Sequence, residues 1–213
     1  GYKLHDWCSY IPKLPITDII IYDEHYFASK KTYDANKNEL IKALSSRAKN
    51  KVNVVIFTLP DKVDGKINLE KECEVIKNAI SEASQSGSNP NPINPKNINV
   101  TIITYKDKHS RHIITNYFRV KFDSCTHLQE NNLDDDVTAE VKTYLKKSSY
   151  SVTEGLIKQF QDIIDYTYSY QKKYDRRGKE IPKTVIYGED KKSNFFKNFK
   201  GLKRETNIEF DMT

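Results

Sequence analysis

Residues 109–124, HSRHIITNYFRVKFDS, form the densest cluster of chemically able side chains in the sequence. Counting from His109, an arginine stands at +2, an asparagine at +7, and an aspartate–serine pair at +14 and +15. A histidine can act as a nucleophile, and an arginine can grip a phosphate through two parallel hydrogen bonds. The sequence has five histidines but no HExxH or paired-cysteine pattern, so no metal site is predicted. It also lacks the GxxxxGK[ST], GxGxxG and GxSxG motifs.

This spacing resembles the signature of the phospholipase D superfamily, HxKxxxxD followed by a Gly–Ser pair. The surrounding sequence agrees with that resemblance, because an apolar strand with Ile102–Ile103 leads into the segment and Ile113–Ile114 continues it. The opening run Thr17–Asp23 is similar to the first strand of that fold. A closer likeness is to the phospholipase D-like domain at the C-terminus of some MIT-domain proteins, in which the segment also reads His-x-Arg. At the level of topology the likeness covers about residues 15–170.

The resemblance implies a phosphodiesterase site. In such a site His109 attacks phosphorus, Arg111 holds a nonbridging oxygen, and the residue at the position of Asn116 orients the imidazole. Ser124 would join His109 and Arg111 in binding the phosphate. Members of the superfamily bring two copies of the motif face to face, whereas this chain carries one copy, so catalysis would require a homodimer.

The segment departs from the signature at three positions, and two of these departures weaken the case for catalysis. Arg111 replaces a lysine and keeps the cation. Asn116 replaces a carboxylate, which removes support for an imidazolium, and Asp123 replaces a glycine, which places a carboxylate near the phosphate. We therefore expect a catalytically degenerate domain that binds a phosphate-containing ligand, either nucleic acid or anionic lipid. The alternative is a homodimeric phosphodiesterase or nuclease with His109 as its nucleophile.

Two other groups of residues could bind ligands. Asp18, Asp23 and Glu24, near the end of the first predicted strand, could hold a metal ion, but ordinary solvated carboxylates are the simpler interpretation and the one we favour. The basic tail could contact nucleic acid or an anionic membrane, or it could be a helix that docks its phenylalanines and leaves its lysines in water, which we favour. The tail residues are Lys191, Lys192, Phe195, Phe196, Lys197, Phe199, Lys200, Lys203 and Arg204.

The elements that must position these residues follow from hydrophobic patterning. Continuous apolar runs such as Ile19–Ile21 and Val54–Phe57 are typical of buried parallel strands. The patterns predict strands at 16–27, 52–59, 98–106, 111–122 and 183–187, helices at 37–49, 68–84, 137–147 and 153–174, and a loop at 85–97. The strand at 111–122 should be a hairpin around Asn116–Tyr117. The order favours an α/β fold, a mainly parallel mixed sheet flanked by helices on both faces, as in phospholipase D-like domains.

Composition sets the remaining expectations. The 213 residues suit a single domain over 1–213, and the net charge of +6 favours anionic partners, although it also serves solubility. No apolar run reaches the ~18 residues that span a bilayer. Three cysteines without metal-like spacing and the lack of a signal-peptide pattern favour a cytoplasmic protein. Abundant Asn and Lys with only seven Gly indicate AT-rich coding and hence a bacterial source, and no cofactor is expected. The sequence begins with glycine, which leaves open that it was excised from a longer protein with additional domains.

Overall fold

The computed structural model describes residues 16–45, 48–86, 92–105, 111–115, 118–122, 139–143 and 185–188, together with residues 155, 158, 177 and 178. For residues 45, 48–50, 122, 139 and 141–143 it describes the backbone alone. The elements are β1 (Ile16–Tyr22), α1 (Lys30–Ser45), β2 (Ala48–Thr58), α2 (Leu69–Ser86), β3 (Ile98–Thr104), β4 (Arg111–Thr115), β5 (Phe118–Phe122), β6 (Ala139–Thr143) and β7 (Val185–Gly188). Single 3₁₀ turns lie at Pro60–Lys62 and Pro95–Asn97.

The strands form one seven-stranded sheet in the order β6-β5-β4-β1-β2-β3-β7. The three central strands β1, β2 and β3 are parallel, and each of the other strands joins its neighbour in antiparallel fashion. Most strand pairings are therefore antiparallel, which corrects the prediction of a mainly parallel sheet. The α/β class and the mixed character of the sheet are confirmed. The prediction failed because antiparallel strands extend the parallel core on both sides, and short apolar runs do not reveal strand direction.

Both helices begin at a side-chain cap that the sequence supplies. Ser29 precedes α1, and its hydroxyl accepts a hydrogen bond from the backbone N–H of Thr32 at 3.1 Å. Asn68 precedes α2, and its Oδ1 accepts from the backbone N–H of Lys71 at 3.2 Å. Two acidic residues in the first turn of α2 also suit the positive end of the helix dipole.

The two described helices pack on the same face of the sheet. Leu40 of α1 and Ile76 of α2 belong to one buried cluster with Ile21, Val54 and Val100 from the central strands. The prediction of helices on both faces stays a prediction, because these two helices account for one face only. Each follows one parallel strand and returns to the next strand in the same direction across the sheet, so both crossovers lie on one side.

The opposite face of the sheet is buried as well. Ile20, Val55, Phe57, Ile103 and Ile114 all lie on it and have no exposed surface. Burial on both faces explains the continuous apolar runs in β1 and β2, because neither face of a central strand contacts water. We call the side that carries α1 and α2 the helix face and the other side the far face.

A row of polar side chains crosses the far face near the start of the parallel strands. Asn99 donates to Oδ1 of Asn53 at 2.9 Å, and Asn53 donates to Oδ1 of Asp18 at 2.7 Å. Thr17 donates its hydroxyl to the other carboxylate oxygen of Asp18 at 2.7 Å. The row is a hydrogen-bonded ladder that joins β1, β2 and β3.

Several predicted elements have other boundaries or another type. The predicted helix at 37–49 is α1, which starts at Lys30, and the first predicted strand ends at Tyr22. Part of the helix predicted at 137–147 is the strand β6 instead. The hairpin is confirmed, since β4 and β5 pair in antiparallel register on either side of residues 116–117.

Other predictions concern segments that lie wholly or mostly outside the described residues. Within the predicted helix at 153–174, only Gly155 and Lys158 are described, and both are helical. The basic tail beyond Gly188 is not among the described residues. In the part of the chain that the structure covers, neither α-helix has the length and apolarity needed to span a bilayer.

Candidate functional site

One residue of the predicted site, Arg111, lies within the described part of the chain, at the first position of β4. His109, Asn116, Asp123 and Ser124 lie outside the described residues. The convergence of His109, Arg111 and Asn116 on one groove therefore stays a prediction. What the structure adds is the environment of Arg111 and of the two strands that carry the segment.

Arg111 is held by two carboxylates that follow β1. Its Nη2 atom donates to Oε1 of Glu24 at 2.7 Å, and its Nε atom lies 3.8 Å from Oδ1 of Asp23. The carboxylate side chains are almost wholly buried, and that of Arg111 is 13% exposed. Nε2 of His25 lies 3.4 Å from the same Glu24 oxygen, and the backbone N–H of His25 donates to Asp23 at 2.9 Å.

This arrangement gives Arg111 a structural role. A buried guanidinium and its carboxylates depend on one another, because each charge lacks water and needs the other for compensation. A phosphate that approached Arg111 would also meet the negative charges of Asp23 and Glu24. The carboxylates around Arg111 therefore disfavour the phosphate binding that the sequence predicts for this residue. The same ion pairs join the end of β1 to the start of β4.

The acidic residues near β1 do not gather into a metal site. Asp18 lies on the ladder of the far face, five residues before Asp23, which corresponds to about 17 Å along a strand. Asp23 and Glu24 have Arg111 between them rather than a third ligand. Among the described residues no group of three or more His, Cys, Asp or Glu side chains could hold a metal ion.

A second cluster of polar residues lies on the far face of β4 and β5. Side chains alternate between faces along a strand, so His112 points away from the face that Arg111 shares with Ile113. On β5 the same alternation places Arg119 and Lys121 beside His112, since His112 pairs with Lys121 and Ile114 pairs with Arg119. Arg119 is 6% exposed and His112 is 5% exposed.

Arg119 has no acceptor among its described neighbours. Its register partners are Ile114 on β4 and Lys142 on β6, an apolar residue and a second cation. Glu140, two residues before Lys142 on β6, is the register partner of Lys121. Within the described residues, no ion pair or hydrogen bond involves the Arg119 side chain, and its Nε atom is buried without a partner. Arg119 is thus a buried cation with no described counter-charge.

His112 is the neutral member of the cluster. Burial, and in the same direction the nearby charges of Arg119 and Lys121, lower its pKa to about 4. At neutral pH one ring nitrogen therefore carries a proton and can donate, while the other can accept. Its Nδ1 atom is buried and has no hydrogen-bond partner among the described residues. We call His112, Arg119 and Lys121 the far-face cluster.

Sequence reasoning missed the far-face cluster, although the sequence contains a signal for it. In the run FRVKF of β5, apolar and cationic residues alternate. Together with the predicted hairpin, this alternation would have placed Arg119 opposite Ile114, on a face that β1 and β2 bury. An arginine is rarely buried on the face of a sheet unless an anion or a hydrogen-bond acceptor compensates its charge.

No protein-family model matches this chain. A search of curated proteins found no match either. The geometry of the described residues therefore carries the functional argument.

Proposed function

We propose that this protein is a phospholipase D-like module that binds a phosphate-containing ligand without hydrolysing it, and that Arg119 supplies the cation. The observation that carries the proposal is the burial of Arg119, which is 6% exposed and has no acceptor in the described part of the structure. An uncompensated buried charge is costly. A bound anion would remove that cost and would gain a charge-assisted hydrogen bond.

Phosphate is the anion that best suits this setting. The guanidinium fork matches two phosphate oxygens in geometry. Lys121 shares the far face, and Lys142 stands at the position opposite Arg119 on β6. The net charge of the chain, +6, favours anionic partners in general. Nucleic acid and anionic lipid both offer the phosphate, and they are the two sources that the test must separate.

The pairing of Arg111 with Glu24 weighs against the alternative, a homodimeric phosphodiesterase that uses His109. In that alternative Arg111 must bind a nonbridging oxygen during the attack. Its Nη2 atom instead donates to a buried carboxylate at 2.7 Å. Breaking that pair would remove a charge-assisted hydrogen bond from the buried carboxylate of Glu24. This is why we propose binding and not turnover.

The test measures binding of the wild-type chain and of Arg119→Gln. The probes are a fluorescein-labelled single-stranded oligonucleotide and phosphatidylcholine vesicles with and without phosphatidylserine. We expect one probe to bind in a salt-sensitive way, and Arg119→Gln to weaken that binding at least about tenfold, since a hydrogen bond to a charged group contributes ~1.5–3 kcal/mol. Lys96→Gln is the matched control, because Lys96 is an exposed cation in the turn before β3.

Two results would overturn the proposal. One is binding that Arg119→Gln and Lys96→Gln reduce equally, which would mean that only the overall charge matters. The other is hydrolysis of bis-p-nitrophenyl phosphate by the wild-type chain that His109→Ala abolishes, which would establish the phosphodiesterase instead.

A further inference from the structure

We propose that the group bound at Arg119 is a terminal phosphate monoester, and not an internal phosphodiester of a polymer or lipid. This inference rests on the proposed function and narrows it to a class of ligand. It follows from the depth of the far-face cluster and from the number of donors that the cluster offers.

The depth of the cluster favours the end of a ligand. Arg119 and His112 are each about nineteen-twentieths buried, and both lie beside fully buried residues of β4 and β1, Ile114 and Ile20. An internal phosphodiester continues in two directions, so both ester chains would have to leave from this buried position. A terminal phosphate has a single ester oxygen, and only that side must point outward, toward the exposed Lys121.

The donors of the cluster match the oxygens of a monoester. The guanidinium of Arg119 can donate in parallel to two oxygens. Neutral His112 can donate one N–H, and its buried Nδ1 has no other partner in the described structure. His112 and Arg119 are diagonal neighbours across β4 and β5, which corresponds to about 7–8 Å between Cα atoms. Together they serve three oxygens, the number that a monoester presents without esterification, whereas a diester presents two.

Charge points in the same direction. A phosphate monoester carries about −1.5 to −2 near pH 7, and a diester carries about −1. The register places the cations Arg119 and Lys121 on the far face, with Lys142 as the register partner of Arg119 and Glu140 as that of Lys121. The neutral form of His112, whose pKa is lowered to about 4, adds a hydrogen-bond donor without adding a charge.

The experiment compares ligands that differ only at the phosphate. One arm uses a single oligonucleotide with a 5′-phosphate or a 5′-hydroxyl, and the other uses vesicles with phosphatidic acid or phosphatidylglycerol. Inorganic phosphate serves as a competitor in both arms. We expect the 5′-phosphate or the phosphatidic acid to bind about tenfold tighter than its partner, and the arm in which this preference is found identifies the source of the phosphate.

Variants assign that preference to the cluster. Arg119→Gln should abolish the preference, and Lys96→Gln should retain it. His112→Leu should reduce it several-fold, while His112→Asn should retain most of it, because the amide of asparagine can place an N–H close to the position of Nδ1.

The failures of the two proposals are distinguishable. If both members of each pair bind equally and Arg119→Gln still weakens binding, the terminal-phosphate inference is wrong and the binding function stands. If Arg119→Gln changes neither binding nor preference, both proposals are wrong.

Discussion

Arg111 and Arg119 stand on the two strands of one hairpin and are both largely buried, yet their surroundings are opposite. Arg111 lies at the end of β1 with two carboxylates against its guanidinium. Arg119 lies on the far face with an apolar residue and a lysine as register partners. The comparison teaches that burial alone does not identify a binding residue. The charged groups around the buried side chain must also be known. A buried cation that is paired with carboxylates, such as Arg111, contributes to the fold, whereas one with no acceptor among the described residues, such as Arg119, is suited to a ligand.

The largest expected effect is on the compensated arginine. Arg111→Met should lower the free energy of unfolding by about 3–5 kcal/mol, because it removes the cation that lies against the buried carboxylates of Glu24 and Asp23. Urea titration followed by circular dichroism measures the change. Arg111→Lys, which keeps the cation, should lose less. A loss below about 1 kcal/mol for Arg111→Met would contradict the structural role of this pair.

The next effect tests His112 through pH. Its pKa of about 4 in the folded chain lies below the ordinary value of 6.5, so between these values the unfolded chain binds more protons. Stability should therefore fall as the pH decreases from about 6.5 to 4, by up to about 3 kcal/mol. His112→Asn should remove this part of the pH dependence. Parallel stability–pH curves for the wild type and His112→Asn would show that His112 does not titrate as described.

Arg119→Met should act in the opposite direction to Arg111→Met. Replacing a buried cation that has no described acceptor by an apolar side chain of similar length should raise the free energy of unfolding of the ligand-free chain by about 1–3 kcal/mol. Thermal unfolding without and with the phosphate ligand checks this. The ligand should raise the midpoint of the wild type and leave that of Arg119→Met unchanged. Destabilisation similar to that of Arg111→Met would remove the contrast between the two arginines.

The smallest expected effect is the loss of an exposed ion pair, and it serves as a baseline for the stability changes above. Lys30 and Asp34 form an ion pair at 2.9 Å on α1, with side chains that are 61% and 42% exposed. Water screens such a pair, so Lys30→Gln should leave the unfolding midpoint unchanged within the error of a urea titration. A clear destabilisation would mean that exposed pairs also matter in this protein, and the Arg111 result would then need comparison with that baseline.

The sequence predicted the three parallel strands, the hairpin and the edge strand β7, but not the strand β6 at the other edge. The apolar runs of β1 and β2 are strong signals because neither face of these strands meets water. β6 was expected to be helical, and it became a strand because β5 offers unpaired backbone groups at the edge of the sheet, which local propensity does not include. The early start of α1 was readable from the cap at Ser29 but was missed. Local caps and hairpins can be predicted more readily than pairings between distant strands.

The candidate site was also predictable only in part, because contacts between residues that are distant in the sequence leave no local pattern. The spacing around His109 drew attention to the hairpin that also carries Arg119. The pairing of Arg111 with Glu24 joins residues 87 positions apart, and no local pattern reveals it. The far-face cluster needs the register of β4 against β5 as well as the knowledge that the far face is buried. Residue type thus indicated the segment, and register assigned different roles to its two arginines.

The ladder of Asp18, Asn53 and Asn99 has a consequence for how the chain finds its fold. The three parallel strands are rich in isoleucine and valine, so many alignments of one strand against the next would bury similar amounts of apolar surface. Each strand contributes one polar residue to the ladder, and these residues are aligned in the native pairing. Sliding one strand by two residues would keep its apolar face and separate these groups, which would leave the buried amide of Asn53 without one of its hydrogen bonds. The ladder therefore favours the native register of the three strands over shifted registers that bury similar amounts of apolar surface.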